Sequence, residues 1–232
     1  MDYNQQFAQA TSQTQVSQVM KRVFLNMAIG LAVTGLIALL CANSPAYVSF
    51  LVQNSWMMWV LIIAQFGIVI GLGAGINKLN TPAAWGLFFL YSAIMGLWMA
   101  PLFIVYSGVV IAKTFFITAG TFGAMSIYGY MTDRDLSRIG SMLMMALFGL
   151  IIAMLVNIFL GSSTLDWIIS IAGVLIFVGL TAWDTQQMKL IAQATDHDTA
   201  NRLAVLGALN LYLDFINLFL FLLRIFGGSS RD

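Results

Sequence analysis

The sequence predicts an all-α membrane protein whose chain crosses the bilayer seven times. Hydrophobic residues make up 60% of its 232 residues and charged residues only 8%, whereas about a quarter of the residues in a typical soluble domain are charged. Apolar runs of about twenty residues, enough for a helix to cross about 30 Å of hydrocarbon, recur along the chain. These runs are approximately 23–42, 56–76, 83–106, 111–131, 140–160, 166–188 and 204–226.

Short polar breaks separate these spans. Residues 43–45, 80–82 and 161–163 combine Asn, Ser, Thr, Pro and Gly, which favour turns. Only the few residues around Ser107 separate the third span from the fourth, and Pro101 is expected to kink or break the third.

The distribution of Lys and Arg predicts the orientation of the spans. If the N-terminus is cytoplasmic, the inner segments carry most of the positive charges, as the positive-inside rule requires. The inner set is Lys21, Arg22, Lys78, Arg134, Arg138, Lys189 and Arg202, and the outer set is Lys113, Arg224 and Arg231. We therefore expect the N-terminus in the cytoplasm and the C-terminus outside.

Residues 1–20 are rich in Gln, Ser and Thr and lack the basic start and apolar core of a signal peptide. We expect them to form a largely unstructured cytoplasmic tail. The predicted organisation is therefore this polar tail, 1–20, followed by a seven-helix transmembrane domain, 21–228. Such a tail is either a plain flexible end or a handle for a cytosolic partner or protease.

Composition also excludes several classes of function. The net charge of +1 is incompatible with a strongly basic nucleic-acid surface, so no nucleic-acid partner is expected. A single cysteine, Cys41, excludes a multi-cysteine metal site. The loop sequence Asp196-His197-Asp198 matches no established metal motif and is interpreted as solvated. We expect no cofactor.

The last span carries polar residues that mere anchoring does not require. Asn210, Asp214, Asn217 and Arg224 fall at i, i+4, i+7 and i+14, so they share one side of a helix. A carboxylate facing lipid would cost several kcal/mol, and an acid inside a membrane is a functional-site hypothesis by default. We therefore predict that this helix lines an ion or proton path.

A second acid, Asp184, lies near the end of the sixth span. Consecutive spans joined by a short loop are expected to be antiparallel neighbours, so Asp184 and Asp214 can meet. Two carboxyl groups in contact at low dielectric constant cannot both ionise cheaply, and we expect them to share a proton near neutral pH, which makes the pair a pH switch. In the structural alternative, each Asp simply bonds a neighbouring helix and nothing moves.

Oxygen ligands suit Ca²⁺, but Asp184 and Asp214 are far from the six to eight ligands of a tight site. We therefore expect weak binding or passage of the ion rather than storage.

Three stretches carry a family resemblance. They are ALNLYLDFINLFLFLLRIFG at 208–227, TAWDTQQMK at 181–189 and MSIYGYMTDRDLS at 125–137. In these stretches, and over essentially the whole chain from Lys21 to Gly227, the sequence resembles the transmembrane Bax-inhibitor-motif family and, within it, the bacterial YccA- and YbhL-like members.

The resemblance implies six helices around a central seventh, in the bacterial inner membrane. It also implies a pH-sensitive calcium leak gated by a di-aspartyl pair, which corresponds by motif to Asp184 and Asp214. Relatives use an acid within the second span and an arginine at its inner end, where this chain has Gln65 and Ile76, with Lys78 nearby. This departure leaves weaker cation attraction and a different permeant ion as alternatives.

Gln65 and Lys78 are retained as candidate supporting residues of the path, although an intramembrane glutamine also serves as a hydrogen bond between helices. Family members are also described as modulators of a membrane-bound AAA protease. A non-transporting regulator that binds such a protease or another stress-response partner is therefore the alternative to the channel.

An enzyme is the remaining class. Aspartyl intramembrane proteases carry Gly-x-Gly-Asp on their second catalytic helix, whereas Leu211, Tyr212 and Leu213 precede Asp214 here. A metal-dependent hydrolase would need several histidines, and the chain has one. We therefore expect no enzymatic activity.

Overall fold

The computed structural model describes the backbone of residues 3–228 and, within it, the side chains of 13–196 and 198–228. This described chain forms eight helices and no strand, and seven of these helices are long and apolar enough to cross a membrane. The predicted fold class is therefore confirmed. The helices are α1 (Tyr3–Ala42), α2 (Pro45–Gln53), α3 (Met57–Gly75), α4 (Thr81–Val105), α5 (Gly108–Met131), α6 (Ser137–Leu160), α7 (Ser163–Ala194) and α8 (His197–Gly228).

The predicted breaks contain the signals that start and stop these helices. Ser44 accepts a hydrogen bond from the Tyr47 backbone N–H at 3.3 Å and caps α2, a short helix that the sequence reading did not anticipate. Asn80 caps α4 by accepting from the Ala83 N–H at 2.9 Å. Gly161 ends α6 with φ of 59°, a left-handed conformation that glycine adopts without strain.

Pro101 does not break α4, which continues to Val105. Proline has no N–H, so the carbonyl of Leu97, four residues earlier, loses its helical partner. The Tyr47 hydroxyl of α2 donates to that carbonyl at 2.7 Å. A side chain from another helix thus replaces the missing hydrogen bond.

The expectation of a largely unstructured N-terminal tail is wrong, because α1 already begins at Tyr3. Val16, Val19, Met20 and Val23 are each at most 4% exposed, and their i, i+3, i+4, i+7 spacing is that of an amphipathic helix. Gln15 Nε2 also donates to the carbonyls at the end of α7, at 2.9 Å to Thr195. The side chains of residues 1–12 and His197, and the whole of Arg231, lie outside the described residues.

The chain divides into two compact units. Among the described residues the first unit comprises α1–α4, up to 107, with residues 188–212, and the second comprises 108–187 with residues 213 onward. In the first unit the Thr34 hydroxyl of α1 lies 2.8 Å from the Ser92 carbonyl of α4 and 2.6 Å from the Tyr212 hydroxyl of α8.

Helix α8 is the most buried of the seven spans. In its most apolar stretch 67% of the residues are buried, compared with 6% in α6. The central position that the resemblance implies for the seventh span stays a prediction.

Candidate functional site

The second unit contains both predicted acids, Asp184 on α7 and Asp214 on α8. Asp214 is only 4% exposed and Asp184 is partly buried. Their carboxyl groups lie within hydrogen-bonding reach of each other. The structure therefore brings the two acids together, as expected for consecutive antiparallel helices.

The electrostatics of this pair favour a shared proton. Asp214 Oδ2 is buried and receives no hydrogen bond from any described residue. Two ionised carboxylates in contact would repel each other, and buried charges are costly unless a donor or counter-ion compensates them. A proton held between Asp184 and Asp214 removes one charge and supplies one hydrogen bond.

Close helix packing positions Asp184. The Cβ of any larger residue at Gly129 of α5 would overlap the backbone of Ala182, and one at Gly140 of α6 would overlap the Trp183 ring. Both glycines therefore allow α5 and α6 to approach the turn of α7 that ends at Asp184.

Aromatic ring contacts follow Asp214 along α8. The ring of the next residue, Phe215, lies 5.6 Å from that of Phe115 and 5.5 Å from that of Phe122, both on α5. One to two turns further along, Phe221 stacks on Phe177 of α7 at 5.9 Å. These apolar contacts exclude water and keep the local dielectric constant low, which strengthens the interaction between the two acids.

Asp214 differs from the other predicted polar residues of α8. Asn210, in the first unit, and Arg224, in the second, are exposed, whereas Asn217 is half-buried and donates to the Leu213 carbonyl of its own helix at 2.8 Å. Arg224 forms an ion pair with Asp166 at the start of α7, with an N–O distance of 3.1 Å. Only Asp214 of this set is buried; that Asn210, Asn217 and Arg224 line a path stays a prediction.

The other two candidate residues lie in the first unit. Gln65 on α3 is half-buried, and its Nε2 atom is buried without a hydrogen-bond partner among the described residues. Lys78 is exposed in the turn after α3. Their supporting roles stay predictions.

The described residues contain no group of three or more His, Cys, Asp or Glu side chains that could hold a metal ion. Asp184 and Asp214 supply two carboxylates, whereas Ca²⁺ takes six to eight oxygen ligands. The pair fits a transient cation contact better than a storage site.

Gln186 was missed as a site residue, although it lies within the quoted stretch 181–189. It is 6% exposed and uses both ends of its amide: Oε1 accepts from the Leu136 N–H at 2.9 Å, and Nε2 donates to the Arg134 carbonyl at 2.8 Å. A glutamine two residues after an intramembrane acid was the available signal. Its partners are backbone groups, which a sequence pattern does not reveal.

Comparison with known proteins places this site in a family. The family model described as "Inhibitor of apoptosis-promoting Bax1" matches residues 16–231. The chain is 51% identical over 212 residues to the inner membrane protein YbhL of Escherichia coli K12, covering 90% of this chain and 91% of that protein. It is 43% identical over 218 residues to a protein of Borreliella burgdorferi, covering 93% and 94% of the two chains. It is also 41% identical over 231 residues to a protein of Deinococcus radiodurans, covering 98% of each. The chain therefore belongs to the Bax inhibitor family of membrane proteins.

Proposed function

We propose that this protein is a pH-sensitive calcium, or cation, leak channel of the bacterial inner membrane, gated by Asp184 and Asp214. The observation that carries the proposal is the contact between two carboxyl groups inside an apolar helical unit, with Asp214 Oδ2 lacking a hydrogen-bond donor. Packing alone would favour a hydrophobic residue at such a position. An acid retained there is better explained by a functional role.

The charge of the pair is the switch. With a shared proton, the two carboxyl groups hydrogen-bond and hold α7 against α8. Without that proton, two negative charges at about 4 Å repel by about 4 kcal/mol at an effective dielectric constant of 20. Separation of the helices or entry of a cation relieves this repulsion, so the state of the path follows pH.

The proposal includes an orientation and a set of partners. We place the N-terminus in the cytoplasm and the C-terminus outside, because the Lys and Arg residues are concentrated in the segments that this orientation puts inside. The partners are membrane lipids and Ca²⁺ as the permeant ion. The protein then needs neither a cofactor nor an enzymatic activity.

Reconstitution into liposomes that contain a Ca²⁺ indicator tests the proposal. The unmodified protein is expected to leak Ca²⁺ at a rate that changes with pH, because the pair gains and loses its proton. The variant with both Asp184→Asn and Asp214→Asn is expected to show a flat pH response, since neither amide titrates. Asp166→Asn is the matched control: it removes a half-exposed acid from α7 and should keep the pH response.

Two results would contradict the channel: a flat response in the unmodified protein, or an unchanged response in the double variant. The alternative, a non-transporting regulator that binds a membrane AAA protease or another stress-response partner, predicts no leak. It also predicts that the double Asn variant keeps the cellular phenotype, whereas deletion of residues 1–20 abolishes it.

A further inference from the structure

The turn of α7 that carries Asp184 rests on the end of α5, the start of α6 and the turn between them. We call Gly129, Arg134, Leu136 and Gly140 the α7 seat. At Gly129 and Gly140 the absent Cβ leaves room for the Ala182 backbone and the Trp183 ring. All of these residues belong to the second unit.

Gln186 adds two hydrogen bonds to this contact between α7 and the α5–α6 turn. Its Oε1 accepts from the Leu136 N–H at 2.9 Å and its Nε2 donates to the Arg134 carbonyl at 2.8 Å. The Leu136 carbonyl in turn accepts from the Gly140 N–H at 2.8 Å, so this turn is continuous with the first hydrogen bonds of α6. A buried amide with both ends satisfied by backbone fixes a single arrangement, because breaking either bond would leave a buried polar group without a partner.

Helix α8 is attached differently within the same unit. Phe215 and Phe221 contact rings on α5 and α7, with centroids 5.5–5.9 Å apart. Ring contacts are less directional than hydrogen bonds and tolerate small sliding movements of packed helices. Apart from the acid pair itself, the described polar contact between this part of α8 and α7 is the half-exposed ion pair of Arg224 with Asp166, and exposed ion pairs contribute little.

We infer that Gln186 is a positioning residue of the gate, which holds Asp184 on the α7 seat so that α7 stays fixed against α5 and α6 when the acid pair changes its charge. If the proposed function holds, the consequence is that α8, which carries Asp214, moves when the gate opens, whereas α7 does not. The fixed attachment of α7 can be tested without any transport.

The charged groups near Asp184 are Asp214 and several exposed residues of the α5–α6 turn and the start of α6. We therefore assign the pH response to the pair of Asp184 and Asp214. On α8 the facing group is Asp214. The α5–α6 turn carries Asp133, Arg134 and Asp135, all exposed. Hydrogen bonds from the Ser137 side chain and backbone lower the pKa of Asp135, so it stays ionised throughout the neutral range. Arg138, in the first turn of α6, is also exposed.

Gln186→Met, which keeps the side-chain length and removes both hydrogen bonds, is the test variant. Amide hydrogen exchange at Leu136 is expected to become about tenfold faster, the factor that corresponds to one lost hydrogen bond. In the liposome assay the pH midpoint of the leak is expected to shift, because Asp184 is no longer held at a fixed distance from Asp214. Gln187→Met is the matched control, since Gln187 is only partly buried and its described hydrogen bond is a long one, 3.4 Å to Ser137 Oγ.

Unchanged Leu136 exchange in Gln186→Met, or an equal effect of Gln187→Met, would overturn the inference. Gln186→Glu provides a second variant if Gln186→Met does not fold. It keeps the acceptor for the Leu136 N–H and should therefore keep the amide protected; loss of protection would count against the assignment.

Spin labels separate this inference from the proposed function. In a Cys41→Ser background, labels at Phe148 and Leu175, both exposed and at a similar level of these antiparallel helices, report the distance between α6 and α7. We expect the same distance at mildly acidic and mildly alkaline pH, and a broader distribution in Gln186→Met. A distance that changes with pH in the unmodified sequence would refute a fixed α7. If the liposomes do not leak, the proposed function fails while this distance still decides the inference.

Discussion

Replacing Gly129 with alanine is expected to lower the free energy of unfolding by about 3 kcal/mol or more. The added Cβ would overlap the backbone of Ala182, which cannot move aside as a flexible side chain can. Helix α7 must therefore withdraw from α5, which opens the packing next to Asp184. Thermal denaturation in detergent, followed by tryptophan fluorescence, measures this loss.

Gly123→Ala is the control on the same helix. A Cβ at Gly123 meets nothing within 4 Å, so this variant should be as stable as the unmodified protein or gain up to about 1 kcal/mol from the higher helix propensity of alanine. Equal stability of Gly129→Ala and Gly123→Ala would show that the backbones of α5 and α7 are not in close contact.

Replacing Asp214 with leucine is expected to abolish the pH-dependent leak and to raise stability by about 1 kcal/mol or more. Asp214 is 4% exposed and its Oδ2 receives no hydrogen bond from the described residues, so leucine removes a buried polar atom that has no donor. The hydrogen bond lost with Asp184 costs less, because Asp184 is only partly buried. Liposome leak and thermal denaturation of the same preparation measure both effects. Greater stability combined with lost activity is the pattern expected of a residue kept for function.

Asp166→Leu provides the comparison. It removes a half-exposed ion pair with Arg224, which is worth less than about 1 kcal/mol, and it leaves the acid pair intact. This variant should keep the pH response. If Asp214→Leu strongly destabilised the protein while Asp166→Leu did not, Asp214 would be a structural residue and the gate would lose its basis.

The seven spans could be predicted from sequence because membrane thickness fixes the length of an apolar helix. The failures came from interactions between distant residues. Pro101 does not break α4, because the Tyr47 hydroxyl satisfies the carbonyl of Leu97 that proline leaves without a donor. A kink, the other effect expected of Pro101, stays a prediction. Gln, Ser and Thr dominate residues 1–20, so their composition predicted a disordered tail. The amphipathic pattern that includes the buried Val16 and Val19 was missed.

The candidate site was also predictable in part, because the membrane penalises buried charge. An acid within an apolar run is costly, so Asp184 and Asp214 stood out and the short loop between their helices indicated that they meet. The burial of Asp214 and the exposure of Asn210 depend on how α8 is rotated against its neighbours. Helical spacing places both on one side and does not resolve that rotation. Gln186 bonds backbone groups about fifty residues away, a contact that leaves no sequence motif.

Infrared difference spectroscopy of the carboxyl stretching band, recorded as pH is raised from mildly acidic to mildly alkaline, tests most directly whether Asp184 and Asp214 share a proton. We predict one buried protonated carboxyl band that is present near neutral pH, disappears on alkalinisation and is absent when both residues are asparagine. Absence of any protonated carboxyl band across this range in the unmodified protein would contradict the shared proton and the gate built on it.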